Sequence, residues 1–466
     1  MESSPQAYQA LLRITEQRLT AYQESAAKRE RRVITLRGPE DLAAAMDLPR
    51  WIQEGGMDEE SFDAFLQQYL DLTTCLHHPG YIGHQVAPPM SGASIADAVN
   101  GVTNNGMAVH EMGPPAVALE LEVLRWMCGH VGLPEGSGGV LTHGGSLANL
   151  TALLAARAAI APDAWMEGVP KNLVLVAPDT SHYSVARSAG ILGLGAKAVR
   201  PVATEADGTM IPTALSEVLD SCAAKGEQVM AVVANASNTT TGALDDLESL
   251  GRICNDRKVW FHVDGAHGAS ALLSPTHRDA LHGIERANSV IWDAHKMLHT
   301  SALCAAVLVR RECDLAAAFH QDASYLGNAD RNKGPDLFHR AIECTKVPLG
   351  LKVFLNLALH GEQTMADRID HVYAQAKVAA DVFRDAGFEV PFEPETNILL
   401  FRVGGEDVEQ AALRERLMED GNFYITAAKH RGRDYLRLTV MQPKTGRVEF
   451  SRLAETLAGA MKTLPL

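Results

Sequence analysis

Residues 259–299 constrain the fold of this chain more than any other segment. VWFHVD is an apolar run that ends in Asp264, and NSVIWDAHK is a second apolar run that leads to Lys296. Buried parallel strands have this composition and deliver polar side chains at their carboxyl ends. The separation of 32 positions between Asp264 and Lys296 is enough for a crossover helix. The sequence therefore predicts two neighbouring parallel strands with a carboxylate and an amine at one edge.

A buried Asp and a Lys at adjacent strand ends allow two interpretations. One is an ion pair in the core of an α/β protein, which an isolated pair would favour. The other is a site for pyridoxal phosphate (PLP), where Lys296 binds the cofactor and Asp264 keeps the pyridine nitrogen protonated. The HVD and HK contexts and the Gly-rich flanks favour the PLP site.

These residues resemble the group II PLP-dependent amino-acid decarboxylases. That family has a strand ending in HVDAA and then an N/D-x-H-K segment, and this chain has HVDGA and DAHK. The similarity extends, with gaps, from about His78 to the C-terminus. It implies a fold-type I α/β enzyme with a doubly wound, mostly parallel sheet, a small C-terminal α+β domain and a helical N-terminal arm. It also implies a homodimer with shared active sites.

The order of patterns along the chain agrees with this architecture. Asp58 is expected to cap an N-terminal helix, and PPAVALELEVLRWMCGHV predicts a helix that ends near Gly132. Strand and helix patterns alternate between about residues 135 and 310, which is typical of a doubly wound domain. FEVPF, NILLFRV and YLRLTV then predict short strands. The predicted domains are a dimerisation arm (1–90), a PLP-binding domain (91–361) and a small domain (362–466).

A phosphate site is predicted where Gly144, Gly145 and Ser146 open an Ala- and Leu-rich helix. Glycines allow close approach of the backbone, and a helix N-terminus attracts anions. Alone the pattern would indicate only a helix cap, but the resemblance implies the phosphate loop of the family. It carries over further cofactor-binding residues from matching positions, which are His182, Thr239, Asp264, Ala266, Asp293, His295 and Lys296.

The catalytic residues are expected to be Lys296, Asp264, His182 and Tyr325. His182 follows the strand NLVLVAP, at the end where ligands bind in α/β sheets. A solvated histidine at a helix start is the alternative, but the resemblance implies stacking on the cofactor ring. It also implies that Tyr325 supplies a proton to the substrate Cα after CO2 leaves.

The substrate is less constrained than the cofactor. Tyr81, His84 and Gln85 lie in a Pro- and Gly-rich loop that could simply be rigid, yet the resemblance implies that it lines the substrate pocket. Lys346 stands where the family usually has Arg, and Arg437 matches an Arg that binds substrate carboxylate or could be a strand-edge cation. Arg437, Lys346 and Gln85 together favour an acidic amino acid. Glutamate, aspartate, cysteine sulfinate, diaminobutyrate and aromatic amino acids stay open.

Composition excludes several classes of partner. A net charge of −15 over 466 residues argues against nucleic acid and anionic membrane. Seven scattered cysteines without a C-x-x-C pair fit a reduced cytoplasmic protein with neither disulfides nor a metal site. The start of the chain does not resemble a signal peptide, and no apolar run is long enough to span a membrane.

The predicted function is PLP-dependent decarboxylation of an L-amino acid to its amine and CO2. The alternatives are another PLP lyase or a decarboxylating aldehyde synthase on the same fold, and a non-catalytic PLP-binding homologue. The intact Asp264 and Lys296 pair argues against the non-catalytic homologue. Tyr325 argues against aldehyde synthesis, because a nearby acid would complete amine formation.

Overall fold

The structure is a computed structural model that describes residues 4–319 and 334–462. The chain forms two compact units. Unit 1 contains Met1–His84, Ala374–Glu393 and Asn397–Leu466, and unit 2 contains Gln85–Tyr373 and Pro394–Thr396. The predicted division into a dimerisation arm (1–90), a PLP-binding domain (91–361) and a small domain (362–466) also assigns a role to each segment. That division stays a prediction.

In the described residues, helices and strands alternate in unit 2, whereas the start of unit 1 is mostly helical. The helices are α1 (Pro5–Ala27), α2 (Pro39–Ala45), α3 (Leu48–Glu54), α4 (Glu59–Leu72), α5 (Ser91–Thr103), α6 (Pro114–Val131), α7 (Gly145–Ile160), α8 (Ala164–Glu167), α9 (Ser184–Ile191), α10 (Pro212–Ala224), α11 (Leu247–Asp256), α12 (Cys313–Ala318), α13 (Gly350–His360), α14 (Glu362–Asp385), α15 (Gln410–Asp420) and α16 (Arg447–Met461). The strands are β1 (Gly138–Thr142), β2 (Leu173–Pro178), β3 (Val199–Val202), β4 (Gln228–Asn235), β5 (Trp260–Asp264), β6 (Ser289–Asp293), β7 (Ala305–Val309), β8 (Ile398–Phe401), β9 (Thr426–His430) and β10 (Arg433–Thr439).

Unit 2 is built on a sheet of seven strands within the described residues, in the order β1-β7-β6-β5-β4-β2-β3. Strands β3, β2, β4, β5 and β6 pair in parallel, whereas β7 pairs antiparallel with both β6 and β1. Strands β2, β5, β6 and β7 are buried along their whole length, as expected for a sheet covered on both faces. The predicted α/β fold class with a mostly parallel sheet is confirmed.

Helix α7 covers the centre of this sheet with small apolar side chains. Leu153 and four of its alanines, Ala148, Ala152, Ala155 and Ala156, are fully buried, and they pack in one cluster with residues of β1, β2 and β7 such as Val140, Leu175 and Val307. Burying a Leu or Val side chain stabilises a fold by about 1.5–3 kcal/mol. The first turn of α7 is therefore held firmly against the carboxyl edge of the sheet.

The connection from β5 to β6 differs from the crossover helix that its length suggested. It consists of three short 3-10 helices, Gly268–Leu273, Arg278–Leu281 and Ile284–Arg286. Pro275 lacks a backbone N–H, and Gly283 has φ 96°, where an added Cβ would lie 2.3 Å from the backbone nitrogen of Glu248. Both residues interrupt an α-helix, so the chain crosses in separate turns.

Unit 1 contains the antiparallel sheet β8-β10-β9 together with helices from both ends of the chain. Asp58 caps α4 as predicted, accepting a hydrogen bond from Ser61 N at 2.9 Å. The predicted strand FEVPF is wrong, because it makes only an isolated bridge between Glu389 and Arg402. Pro391 within it has no N–H to donate to a ladder.

None of the helices in the described residues is long and apolar enough to cross a membrane. Helix α6 ends at Val131 and is capped by Gly132 in the left-handed conformation, which confirms the predicted helix end.

Candidate active site

Asp264 and Lys296 lie at the same edge of the unit 2 sheet. Asp264 ends β5 and pairs with Ile291 of the parallel strand β6, and Lys296 follows three residues after the end of β6. The Lys296 Nζ lies 3.2 Å from the Asp293 Oδ2, and 17% of the lysine side chain stays exposed. The edge therefore presents a buried carboxylate and an accessible amine, as the sequence predicts.

The Asp264 carboxylate is fixed by two donors. Asn149 Nδ2 donates to Oδ2 at 2.8 Å, and Ala266 N donates to Oδ1 at 3.2 Å. Asp264 is only 7% exposed, so few other groups can reach it. Ala266 thus takes part through its backbone, on the turn that leaves β5.

The loop from β1 to α7 comes very close to the end of β6. A Cβ added to Gly145 would lie 2.7 Å from Asp293 Oδ2, and Gly144 has φ 99°. Ser146 is half-buried in the first turn of α7. Asp293 Oδ1 is buried and has no hydrogen-bond partner in the described part of the chain. This loop fits a phosphate. The backbone N–H groups at the start of a 16-residue helix and the Ser146 hydroxyl are donors, and the glycines allow close approach.

His182 follows β2 and is held by Ser184. The Ser184 Oγ lies 2.8 Å from His182 Nδ1, and Ser184 N donates to the same nitrogen at 3.3 Å. Burial lowers the pKa of His182, and Asp264, whose charge acts in the opposite direction, is the next largest influence on it. The imidazole is therefore neutral at pH 7, with Nδ1 as its acceptor.

The remaining predicted cofactor residues occupy the neighbouring turns. His295 is buried, and its Nδ1 lies 2.8 Å from the carbonyl oxygen of Cys304, an arrangement that braces the DAHK turn. Thr239 is half-buried in the loop after β4. Both belong to unit 2 with the residues above.

Three of the predicted substrate residues lie together in unit 1. The Tyr81 ring stacks on Tyr424 with centroids 5.2 Å apart, and the His84 ring centroid is 5.5 Å from that of Tyr424. Arg437 is buried, and its Nη1 has only long contacts of 3.4 Å to Gly83 O and Thr426 Oγ1. Burial lowers the pKa of Arg437 to about 10, which leaves it charged at pH 7.

The environment of this cluster is positive. Arg437 Nε and Nη2 are buried and have no hydrogen-bond partner among residues 4–319 and 334–462. Partial desolvation lowers the pKa of His84, whose side chain is exposed, and the charges of Arg437 and Arg414 lower it further. Sequence analysis missed Arg414 and Tyr424, which only the fold brings to the loop of Tyr81.

Gln85 and Lys346 belong to unit 2. Lys346 is buried in an ion pair with Glu120, and its Nζ also donates to the carbonyl oxygen of Leu141. These contacts favour a structural role for Lys346 over the predicted contact with substrate. Gln85 is half-buried. Tyr325 lies outside the described residues.

Sequence analysis also missed His262, although a signal for it was present. Trp260, His262 and Asp264 alternate along β5 and so lie on one face of the strand. Each carries a polar atom into the core, and buried polar atoms require partners. His262 Nε2 lies 2.8 Å from Asn149 Oδ1, and the same Asn149 side chain also donates to Asp264.

Comparisons with known proteins identify the family of this chain. A family model described as the pyridoxal-dependent decarboxylase conserved domain matches residues 81–404. Acidic amino acid decarboxylase GADL1 of Mus musculus is 28% identical over 442 residues, 90% of this chain and 80% of that protein. Cysteine sulfinic acid decarboxylase of Mus musculus is 30% identical over 427 residues, 87% of this chain and 86% of that protein. The crystal structure of mouse CSAD has a TM-score of 0.91 at 28% identity and covers 99% of this chain and 100% of its own.

The matched region spans most of the chain and includes the edge with Asp264 and Lys296 and the loop that opens α7. This chain therefore belongs to the pyridoxal-dependent decarboxylase family and is an amino-acid decarboxylase that uses PLP.

Proposed function

We propose that the enzyme decarboxylates an acidic L-amino acid and that the unit 2 sheet edge holds its PLP. One observation supports the PLP site at this edge. Two donors hold the carboxylate of Asp264 at the end of β5, and the neighbouring parallel strand β6 leads to Lys296. Lys296 would carry the cofactor through Nζ. Asp264 would face the pyridine nitrogen, and residues 144–146 would hold the phosphate.

PLP supplies an electron-accepting ring that takes up the electron pair released when CO2 leaves. The residues of this chain supply position and protons. Neutral His182 would lie on the ring face and orient the bond to the leaving carboxylate, which is positioning more than acid–base work. Buried donors around Asp264 keep water from competing for its oxygens. We retain the sequence-based hypothesis that Tyr325 protonates Cα.

Asp293 is a carboxylate beside the proposed phosphate loop, and its charge needs a counterion there. Lys296 Nζ lies 3.2 Å from Asp293 Oδ2, and His295 Nε2 lies 3.7 Å from the same oxygen. We infer that Asp293 positions the DAHK turn through these contacts. A direct contact between ionised Asp293 and phosphate would be repulsive, so the donors of the loop face the phosphate instead.

The acidic substrate is supported by Arg437. Its Nε and Nη2 are buried without a partner in the described residues, and the two charges that act on the neighbouring His84, those of Arg437 and Arg414, are both positive. A buried guanidinium that pairs with no carboxylate among residues 4–319 and 334–462 is well suited to bind an anion in two-pronged geometry. The mouse relatives act, by their names, on acidic amino acids and on cysteine sulfinic acid. An aspartate-like or sulfinate side chain would supply the missing anion.

The substrate is tested by measuring CO2 and amine from a panel of L-amino acids, comprising aspartate, glutamate, cysteine sulfinate, 2,4-diaminobutyrate, tyrosine and tryptophan. An acidic substrate should give the highest kcat/KM. Arg437→Met should raise its KM by about tenfold or more, the scale of a hydrogen bond to a charged group. Arg402→Met is the matched control, because Arg402 is equally buried but donates to backbone carbonyls such as Asp434 O.

Two results would contradict the proposal. Preference for an aromatic or cationic substrate would exclude an acidic side chain. An unchanged KM in Arg437→Met, or an equal rise in Arg402→Met, would remove Arg437 from the substrate site.

We also propose a cytoplasmic homodimer. Helix α5 carries an exposed apolar stripe of Ile95, Val99 and Val102, at positions i, i+4 and i+7. Helix α13 packs beside it through the contact of Ala93 N with Asn356 Oδ1 at 2.9 Å, and exposes Phe354. An apolar face on two adjacent helices suits a second copy of the chain.

The seven cysteines are all unpaired, which supports a reduced compartment.

A further inference from the structure

Five buried side chains of unit 2 form one continuous hydrogen-bonded row, here named the relay. Trp260 Nε1 donates to Ser289 Oγ at 2.8 Å, and Ser289 Oγ lies 2.8 Å from His262 Nδ1. His262 Nε2 lies 2.8 Å from Asn149 Oδ1, and Asn149 Nδ2 donates to Asp264 Oδ2 at 2.8 Å. All five residues are at most 7% exposed. The relay thus connects the protein core to the carboxylate of the candidate active site.

The fold places these residues in line. Trp260, His262 and Asp264 share one face of β5 because strand side chains alternate. Ser289 is the β6 partner of His262 in the register of the two strands. Asn149 lies on α7, one turn after Gly145, so the helix that opens at the proposed phosphate loop also contacts Asp264. The position of α7 therefore determines both the proposed phosphate loop and the contact of Asn149 with Asp264.

Only one arrangement of protons satisfies the relay. A carboxylate accepts, so Asn149 must turn its amide N–H groups toward Asp264 and its oxygen toward His262. His262 must then carry its proton on Nε2. Burial lowers the pKa of His262 to about 4, so the ring is neutral and Nδ1 is an acceptor. Ser289 gives its single proton to Nδ1 and accepts from Trp260, whose indole can only donate.

The relay branches at Asn149 toward His182. Asn149 Nδ2 also donates to Ser184 Oγ at 2.9 Å, which leaves the Ser184 hydroxyl proton for His182 Nδ1 at 2.8 Å. The backbone N–H of Ser184 points at the same ring nitrogen. His182 therefore keeps its proton on Nε2.

We propose that Asn149 and His262 are positioning residues that fix the orientation of the Asp264 carboxylate toward PLP and the tautomer of His182. The proposal rests on the proposed role of Asp264 in binding the cofactor. Breaking the relay at His262 leaves the oxygen of Asn149 without its donor in the core. The amide can then rotate, and both Asp264 and Ser184 lose a fixed partner.

The test compares two substitutions of His262 that separate hydrogen bonding from packing. His262→Phe keeps an aromatic ring of similar shape and removes both nitrogens. His262→Gln loses the ring but has an acceptor and a donor separated much as the two ring nitrogens are, in the order the relay requires. The dissociation constant for PLP is measured by diluting each holoenzyme and following the visible absorbance of the bound cofactor.

The relay predicts that His262→Phe raises the PLP dissociation constant by about tenfold, while His262→Gln stays within about threefold of the unsubstituted enzyme. A role in packing alone predicts the reverse order. Nitrogen-15 NMR of histidine-labelled holoenzyme gives a second measurement, with the His182 signals assigned by their loss in His182→Gln. Nδ1 of His182 should be unprotonated in the unsubstituted enzyme and in His262→Gln, and of mixed protonation in His262→Phe.

Where His262→Phe does not fold, Ser289→Ala and Ser270→Ala provide a matched pair. Both serines are fully buried and accept a hydrogen bond from a tryptophan at 2.8 Å, Ser270 from Trp292, but only Ser289 belongs to the relay. Ser289→Ala should weaken PLP binding by about threefold more than Ser270→Ala.

Asp264→Asn separates failure of the relay from failure of the proposed site. Unchanged PLP binding in Asp264→Asn would overturn the role of Asp264 itself. Loss of PLP in Asp264→Asn, with His262→Phe retaining PLP as well as His262→Gln does, would overturn the relay alone.

Discussion

Lys346 shows how one buried partner changes the interpretation of a residue. By position it matches an Arg of the resembled family and was expected to contact substrate. In the structure Glu120 Oε1 accepts from Leu141 N at 3.0 Å and pairs with Lys346, while Lys346 donates to Leu141 O. Leu141 lies on β1, one of the two edge strands of the sheet within the described residues. The ion pair therefore satisfies both backbone polar groups of Leu141, three residues before the proposed phosphate loop.

Lys346→Met should destabilise the holoenzyme by about 3–5 kcal/mol, because it leaves the carboxylate of Glu120 buried without a counterion. Adding Glu120→Gln should recover most of this loss, since a neutral amide keeps the contact with Leu141 N. Urea unfolding of the single and double variants measures the difference. If Lys346→Met instead raised KM at unchanged stability, Lys346 would be a substrate contact.

The location of a residue could be predicted from sequence where it depends only on the end of a single strand. Asp264 and Lys296 follow apolar runs, so their position at one edge follows from strand burial alone. The partners of those residues did not follow, because Asn149 meets Asp264 only after α7 has packed on the sheet. Arg414 meets the loop of His84 in the same way, through tertiary folding of unit 1.

Among the elements, the strands with continuous apolar runs were predicted well and the connections less so. Strands β2 and β6 occur where the sequence placed them, because fully buried strands leave a clear pattern. The 3-10 crossover after β5 has no comparable periodicity, and Pro275 and Gly283 act only locally. Strand β9, with the sequence TAAKH, alternates buried and exposed residues too briefly to stand out.

Helix α5 carries the prediction for oligomeric state. Val99→Asp places a charge in the middle of the exposed stripe, where a second copy would bury it without a partner. The unsubstituted enzyme should sediment at about twice its chain mass of 50.2 kDa, and Val99→Asp at the mass of one chain. Met166→Asp is the control, because Met166 is 85% exposed on α8, away from the stripe in sequence. A monomeric unsubstituted enzyme, or an intact dimer in Val99→Asp, would contradict the proposal.

At the scale of the whole molecule, the sheet of unit 2 brings three kinds of group to one edge. A carboxylate ends β5, an amine follows β6, and a glycine-lined helix start follows β1. Strands β1, β5 and β6 run in the same direction, because β1 and β6 both pair antiparallel with β7, and their carboxyl ends therefore bring all three groups to the same side. The net charge of −15 is a property of the overall composition and leaves the local charge of the unit 1 cluster positive. Fold class and cofactor could therefore be predicted from sequence, whereas the substrate could not.

The most direct measurement of the central claim is the identity of the lysine that carries the cofactor. The purified holoenzyme is treated with borohydride, which fixes PLP to its lysine, and the digested peptides are analysed by mass spectrometry. The account predicts a pyridoxyl group on the peptide that contains Lys296 and its absence in Lys296→Ala. A pyridoxyl group on a different lysine, or on none, would contradict the assignment of this edge as the active site.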